Sequence, residues 1–407
     1  MGTIGIMLMA LTGLALVWVL FNIFTWPRVQ LLRRHGKTRG TEGPFNAVGI
    51  LLDKVSVLVP ARDEEENMAP LLESLMLQGP EVVEILILDD QSTDGTAKVV
   101  QEYSSKDNRI RLINGQRRPA GWFGMTWAGK QLADAAASPW MLFLDADVVL
   151  VQGAVNAIMD AARKHQATFV SCWPRFEVVN FWEKLGVPML NFATFTTFLW
   201  TMSFLRPHDD RMIIASGACM LMQRKAYDKL GGHECCAGGL LEDHAFARAW
   251  RRSGECSVTL DGQDIVGVRM YRSLEEIIRG FQKNAAKALR GPGVFWVFIS
   301  IQVLVFLLPF LLAPLSLLAS LPLDNWPLWT AVINVLLIRV CLAQAYRVPV
   351  WVAILHPVSM VAMLYVVLLS WYSITFGKGV TWKGRTYFTT PPAVDAAQSN
   401  MPHQVVN

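Results

Sequence analysis

At 407 residues the chain has room for more than one domain, and its 53% hydrophobic against 17% charged residues, with 15 Trp and 20 Phe, pile their apolar excess at the two ends. A formal net charge of +4 leaves no nucleic-acid footprint by itself. The six Cys (Cys172, Cys219, Cys235, Cys236, Cys256 and Cys341) have no regular spacing, which excludes a disulfide framework and makes a reducing compartment the default.

Residues 4–24 are apolar and uncharged, long enough for one spanning helix. No small-residue cleavage site follows, so residues 1–27 read as an anchor rather than a removed signal. Arg28, Arg33, Arg34, Lys37 and Arg39 come next, in a basic juxtamembrane linker at 28–53. By the positive-inside rule they hold the following domain in the cytoplasm, which predicts a multi-pass protein of the cell (inner) membrane.

A soluble domain is predicted over 54–272. Val55 to Val59 reads as a first buried strand, followed by Pro60-Ala61-Arg62-Asp63-Glu64 and a helix to about Gln78. Glu84 to Leu88 is a second strand, ending in Asp89-Asp90-Gln91-Ser92-Thr93-Asp94-Gly95-Thr96, where Asp94 is expected to cap the next helix. Arg109 to Ile113 is a third. The alternation is that of βαβ units, so the fold class is α/β, Rossmann-like, with a doubly wound, mostly parallel sheet. A loop with three Gly and two Trp, 119–130, then precedes a short helix from Gln131 to Ala137.

Trp140 to Leu150, WMLFLDADVVL, is an apolar run that ends in Asp145-Ala146-Asp147. It is too short to span a bilayer and fits a strand buried on both faces. Ligands of open α/β sheets bind beyond the C-terminal strand ends, where these two carboxylates sit. One DxD alone is a weak signal.

Thr168 to Trp173 is a further strand. Residues 186–205 are almost uncharged and aromatic, suiting either buried core or a segment lying on the bilayer. Arg211 to Gln223 reads as a strand with Gly217 inside it, a mark of close ligand approach. Leu240-Leu241-Glu242-Asp243-His244 opens a helix with Phe246 and Trp250 on one face. His233, Cys235 and Cys236 are spaced too tightly for tetrahedral zinc ligation by all three and read as a loop. Residues 273–290 form an amphipathic helix, Leu274, Ile277, Ile278 and Phe281 against Arg279, Lys283 and Lys287, expected to lie on an anionic membrane surface.

Residues 291–376 turn apolar again, in segments 294–320, 326–345 and 349–376. Arg339 lies within the second, where a charge faces a cavity or a partner. His356 is expected to pack between helices. Three full spans would put the basic residues of the 377–407 tail on the far side, against the positive-inside rule. The Pro-broken 294–320 is the first candidate for a re-entrant segment that removes the conflict.

Four acidic sets end separate predicted elements: Asp63-Glu64, Asp89-Asp90, Asp145 with Asp147, and Glu242-Asp243. A sugar nucleotide needs such a set. A divalent cation, Mg2+ or Mn2+, neutralises a departing diphosphate, and Asp145 and Asp147 can hold it. Asp90 and Asp63 can accept hydrogen bonds from a base or ribose. A general base must stand opposite the leaving group, and Asp243 is placed for that. Lys130 either adds charge near the phosphates or is a surface lysine.

VPARDEEEN at 59–67, LDDQSTDGT at 88–96, LDADV at 144–148, SGA at 216–218, GGHE at 231–234 and LEDHAFA at 241–247 together resemble glycosyltransferase family 2, the inverting GT-A class. The resemblance covers about 54–288 and departs from the family at Asp63, where Asn is usual. It implies donor binding by Pro60, Asp63, Glu64, Asp89, Asp90, Lys130, Asp145 and Ala146, and metal binding by Asp145 and Asp147. It also implies Asp243 as base, beside Glu242. Gly280-Phe281-Gln282-Lys283-Asn284, the Trp- and Gly-rich loop and Thr381-Trp382-Lys383-Gly384-Arg385-Tyr387 resemble membrane glycosyltransferases of carotenoid and hopanoid pathways, the diaponeurosporenoate type among them. That resemblance implies a UDP-linked sugar donor and transfer to a hydroxyl or carboxyl of a carotenoid or other isoprenoid lipid. Ceramide, diacylglycerol and polyprenyl-phosphate acceptors are the alternatives, and a non-catalytic membrane scaffold is the rival of another class. The QxxRW motif of processive synthases is missing, which implies a single transfer.

Overall fold

The structure, a computed structural model, describes residues 2–31, 53–237, 242–288, 292–318, 325–376, 380–382 and 385–387. Arg33, Arg34, Lys37 and Arg39, Leu240 and Leu241, and most of the 377–407 tail lie outside these residues, as does the side chain of Glu242.

After helix α1 (Gly2–Thr25), β1 (Val55–Ala61), α2 (Glu65–Met76), β2 (Val82–Asp89), α3 (Thr96–Ser104) and β3 (Ile110–Asn114) alternate as predicted. Helix α4 (Gly124–Ala135) leads to β4 (Trp140–Leu144). Then come β5 (Val148–Leu150), α5 (Ala154–Lys164), β6 (Phe169–Trp173), β7 (Arg175–Phe176) and three short helices, α6 (Phe181–Gly186), α7 (Pro188–Thr197) and α8 (Trp200–Leu205). Strand β8 (Cys219–Gln223), α9 (Arg224–Lys229), α10 (Glu242–Arg252), β9 (Ser257–Asp261) and β10 (Val266–Val268) complete the domain.

The main sheet has the order β3-β2-β1-β4-β8-β6-β9, and only β8 runs antiparallel to its neighbours. Its inner strands bury both faces. Val57 and Val59 of β1, Ile85 and Ile87 of β2 and Leu142 and Leu144 of β4 enter one core. The alternating Leu58, Leu86, Leu88, Met141 and Phe143 enter the other. This two-sided burial is why these runs lack polar alternation, and each fully buried side chain contributes roughly 1.5–3 kcal/mol.

Three local expectations change. The run Trp140 to Leu150 is two strands in different sheets, split by Asp145-Ala146-Asp147; β5 belongs to the small sheet β5-β10-β7. Gly217 lies in the loop before β8 rather than inside a strand. The Gly- and Trp-rich segment is helical from Gly124, because Phe123, Thr126, Ala128 and Gly129 bury a continuous apolar face.

The first core continues into the helical bundle. Phe192, Phe195 and Trp200 are buried, and Trp200 packs on Trp26 and Trp173 at ring separations of 4.4 and 4.7 Å. The 186–205 segment is thus core between the sheet and the apolar helices.

Helices α11 (Leu274–Ala288), α12 (Pro292–Ile301), α13 (Leu308–Leu318), α14 (Trp326–Ala345) and α15 (His356–Thr375) follow, and β11 (Val380–Trp382) pairs with β12 (Arg385–Tyr387). Gln302–Leu307, between α12 and α13, is a π-helical segment. Four helices among the described residues are long and apolar enough to cross a membrane: Thr3–Thr25, Pro292–Leu317, Trp326–Ala345 and His356–Ser373. Helices α1 and α14 run parallel and close, Gly5 against Leu328 and Gly13 against Asn334. Their C-terminal ends meet the domain. Arg28 pairs with Asp261 at 2.8 Å, and Arg347 with Asp264 at 2.5 Å. The 292–318 segment runs the other way, ending where Ala313 packs with Leu8 and Leu328.

Helix α15 is the exception. The chain leaves the domain side at Arg347. It returns there at Ser373, whose hydroxyl accepts from Gln282 of α11 at 2.8 Å. Strand β11 packs on α11 as well. Both ends of 347–375 thus meet the domain, whereas 292–318 leads away from it, and β11 of the tail packs beside α11. Part of the α11 apolar face packs on protein: Ile277 is buried against Gly186, Gly280 against Tyr271, and the helix runs along α15, while Leu274 is exposed.

Candidate active site

Strand register brings the acidic sets together. Ala61 of β1 pairs with Asp89 of β2, and Leu58 of β1 pairs with Phe143 of β4. The C-terminal ends of β2, β1 and β4 are thus neighbours, and Asp89-Asp90, Asp63-Glu64 and Asp145-Ala146-Asp147 follow those ends directly. The Asp90 N–H donates to Ala61 O at 2.7 Å, and Arg62 Nη1 to Asp90 O at 2.7 Å. Pro60 and Ala61 form the floor between them, and the Asp90 side chain is buried.

Asp63 has a left-handed φ of 50°. This brings its Oδ1 to the N–H of Thr93 at 2.7 Å, so the residue braces the β1–α2 loop against the β2–α3 loop. Asp89 accepts from Ser92 N–H at 3.0 Å within its own turn. Glu64 accepts from Asn67 Nδ2 at 2.7 Å, and Asn67 accepts from Arg272 Nη2 at 2.7 Å, just before α11. Asp94 acts as a cap, as predicted: its carboxylate accepts from Thr96 N–H at 3.0 Å and Glu65 N–H at 3.1 Å. Burial raises its pKa, and these bonds outweigh burial to leave it below the usual carboxylate range.

Asp243 joins from the other side. The N–H of Asp145 donates to Ala218 O at 3.2 Å. Gly217, next in the chain, lies so near Asp243 that an added Cβ would be 3.8 Å from the Asp243 Cβ. The Ser216-Gly217-Ala218 loop is the link between the two aspartate sets. Asp243 Oδ1 accepts from His244 N–H at 2.7 Å and faces His244 Nδ1 at 3.2 Å. Burial pushes the Asp243 carboxyl up. The His244 charge and the N–H groups of His244 and Gly217 overcome that and hold it below the usual carboxylate range. Burial lowers the pKa of His244, and the Asp243 charge together with its hydrogen bond outweighs burial and leaves it raised.

The donor set suits a hard cation. Asp145 and Asp147 offer oxygen ligands only, and Mg2+ or Mn2+ is commonly held by one or two carboxylates together with substrate phosphates. Among the described residues no three His, Cys, Asp or Glu side chains form a ready metal cage. The His233 ring is buried with Nδ1 2.6 Å from Tyr227 Oη, and it packs on Phe143 and Phe246.

Lys130 lies within α4 rather than at a helix start, and its ammonium pairs with Asp134 at 2.8 Å and Glu234 at 3.9 Å. Glu242 opens α10.

Tyr271 carried no signal in the sequence. It is buried, and burial, with the Asp147 charge adding to it, drives its phenol far up in pKa. Its ring lies flat on Gly280: an added Cβ there would be 2.2 Å from Tyr271 Cε1 and 2.3 Å from Oη. The Gly280-Phe281 motif gave half of this contact, but its long-range partner was invisible.

An open, mostly parallel sheet with carboxylates at neighbouring C-terminal strand ends is the GT-A class of fold. Residues 56–231 match the sequence model of Glycosyl transferase family 2. Among curated proteins, 4,4'-diaponeurosporenoate glycosyltransferase of Staphylococcus haemolyticus is 29% identical over 243 residues, 58% of this chain and 62% of the relative. The protein of the same name from Staphylococcus aureus strain USA300 is 24% identical over 259 residues, 61% of this chain and 66% of the relative. The match thus spans less than two thirds of these relatives. Among solved structures, the mannosyltransferase PcManGT from Pyrobaculum calidifontis aligns over 93% of this chain and 99% of its own, at 16% identity and a TM-score of 0.48. Glucosyl-3-phosphoglycerate synthase of Mycobacterium tuberculosis aligns over 58% of this chain and 79% of its own, at 17% identity and a TM-score of 0.39.

Proposed function

We propose that the protein is a membrane-bound inverting glycosyltransferase that moves one sugar from a nucleotide-sugar donor, UDP-linked first, to a hydroxyl or carboxyl of a membrane lipid of carotenoid or isoprenoid type. The observation that carries this reading is the strand register that makes the Asp90–Ala61 and Asp145 strand ends neighbours, with contacts on from Asp145 through Ala218 and Gly217 to Asp243. Asp89 and Asp90 bind the nucleoside. Glu64 assists from the β1–α2 loop, while Asp63 holds that loop in place. Pro60 and Ala146 line the floor. Asp145 and Asp147 would hold Mg2+ or Mn2+, which stabilises the departing diphosphate.

Asp243 accepts the proton of the acceptor hydroxyl, or orients an acceptor carboxylate, opposite the diphosphate. Its carboxylate is kept ionised by His244 and Gly217, so it is ready as a base at neutral pH. Glu242 precedes it on the same turn. Lys130 supports the loop around Glu234 in this reading and does not contact phosphate.

The acceptor class rests on the diaponeurosporenoate glycosyltransferase relatives and on the four apolar helices. The domain sits on the cytoplasmic side of the cell membrane. Contacts of the tail hairpin and Arg347 on the domain side agree with the basic residues there. The test is transfer in membranes containing the full chain, supplied with radiolabelled UDP-sugar and either a carotenoid carboxylic acid, ceramide, diacylglycerol or polyprenyl phosphate. Labelled carotenoid ester or ether supports the proposal. Label only in another lipid refutes the acceptor, and no label in any lipid, with UDP or GDP sugars, refutes the enzyme.

A further inference from the structure

Deep in the helical bundle stands a positive charge with no counter-charge among the described residues. Arg339 is 2% exposed, on an apolar helix. Its Nη1 donates to Pro188 O at 3.4 Å, whereas Nε and Nη2 have no hydrogen-bond partner among the described residues. A guanidinium does not deprotonate, and an uncompensated charge in an apolar medium is costly. Arg339 precedes Tyr346 by seven residues, about 10 Å along the helix, so it lies well inside the apolar layer.

Arg339 has polar company. The Phe192 ring stands 5.7 Å from its guanidinium, 4.9 Å from the His356 ring and 5.1 Å from Phe306. His356 is fully buried, with Nε2 3.1 Å from Phe306 O and Nδ1 without a partner. Ser359, on the next turn of α15, has a buried hydroxyl without a partner. Gln302, at the start of the π-helical segment that contains Phe306, is 0% exposed with both amide atoms unpartnered. Buried polar groups are almost always satisfied, and π-helical segments recur at functional sites. Arg339 and His356 flank the Phe192 ring, with Ser359 one turn from His356 and Gln302 about one turn from Phe306, so three apolar segments contribute four buried polar side chains.

We infer that this site binds an oxyanion, carboxylate or phosphate, carried at the end of an apolar lipid chain. Arg339 is its charge partner, and the Gln302 amide N–H and the Ser359 hydroxyl donate the remaining hydrogen bonds. The occupant must enter from the bilayer, because the site is enclosed by α7, α14, α15 and the π-helical segment. Two sources share this chemistry: a lipid carboxylic acid, and an anionic phospholipid of the surrounding leaflet. The inference stands apart from the catalytic proposal, since it concerns binding and needs no turnover.

The experiment uses the full chain in nanodiscs of phosphatidylcholine, doped in turn with oleate, phosphatidylglycerol or oleyl alcohol. Thermal unfolding and lipid retention after exchange into undoped discs are both read. Wild type should gain thermal stability and retain lipid with oleate or phosphatidylglycerol, and show neither with oleyl alcohol. Which of the two anions protects identifies the source. Arg339→Met, similar in length and uncharged, should weaken retention about ten- to a hundredfold, the scale of one charge-assisted hydrogen bond. The wild-type arms need no variant, so misfolding of Arg339→Met cannot decide the result. Equal effects of oleate and oleyl alcohol, no protection by either anion, or undiminished retention in folded Arg339→Met would each overturn the inference.

Discussion

Replacing Gly280 with Ala tests how the membrane-side helix supports the aspartate site. The new Cβ would fall 2.2 Å from Tyr271 Cε1, 2.3 Å from Oη and 2.4 Å from Cζ. Non-bonded carbon contacts settle at about 3.5–4.0 Å, so ring and helix must separate by about 1.3 Å. Tyr271 cannot swing into solvent. It is 5% exposed, with Phe281 edge-on at 5.4 Å. Overpacking of this kind costs about 1–3 kcal/mol, and a shift of about 1 Å near reacting groups can cost on the order of a hundredfold in rate. Gly280→Ala should therefore lower the melting temperature by several degrees and cut turnover at least tenfold, with turnover falling further than stability explains. The assay is thermal unfolding alongside sugar transfer, in wild-type and Tyr271→Ala backgrounds. Because the Tyr271→Ala background has no ring to displace, the added cost of Gly280→Ala should nearly vanish there. A full cost in both backgrounds, or none in either, would refute the reasoning.

Asp243→Asn should abolish transfer while leaving nucleotide binding nearly intact, read by transfer and by calorimetry on one preparation; substantial residual turnover would assign the base elsewhere. His244→Asn removes the group that most strongly opposes the effect of burial on Asp243. The Asp243 pKa is depressed when folded, so its ionised form is lost as pH falls through that lowered value. Without His244 the acid limb of the kcat/KM profile should move to higher pH, and an unmoved limb would mean that another group titrates there. Gly129→Ala would put a Cβ 2.2 Å from His233 Nε2, a side chain locked to Tyr227, and should lower the melting temperature by several degrees while wild-type donor affinity persists in the folded fraction.

The alternation of strands and helices, the apolar N-terminal helix and the acidic strand ends were legible because they depend on local pattern. Val57, Ile85 and Leu142 lie in uninterrupted apolar runs, as double-sided burial requires. Asp145 and Asp147 mark the place where the fourth run stops. What escaped depends on partners distant in sequence. The helix through Gly124 to Lys130 looked like a loop, since Gly and Trp are poor local signals and the burial of Ala128 and Gly129 overrides them. Residues 186–205 are as apolar as a lipid-facing segment, and nothing local says that Trp200 meets Trp26. Pro309 and Pro314 drew attention to 294–320, whereas the return of α15 to the domain depends on Gln282 and Ser373, far apart in sequence. Tyr271 is one aromatic among many until Gly280 is seen beneath it.

Binding of UDP and of GDP to the full chain by calorimetry, with and without Mn2+, in wild type and Asp147→Asn, reaches the centre of the account. Metal-dependent binding of at least one nucleotide in wild type, lost in the variant, is the result it predicts. Nucleotide binding that ignores the metal, or that survives Asp147→Asn unchanged, would contradict it.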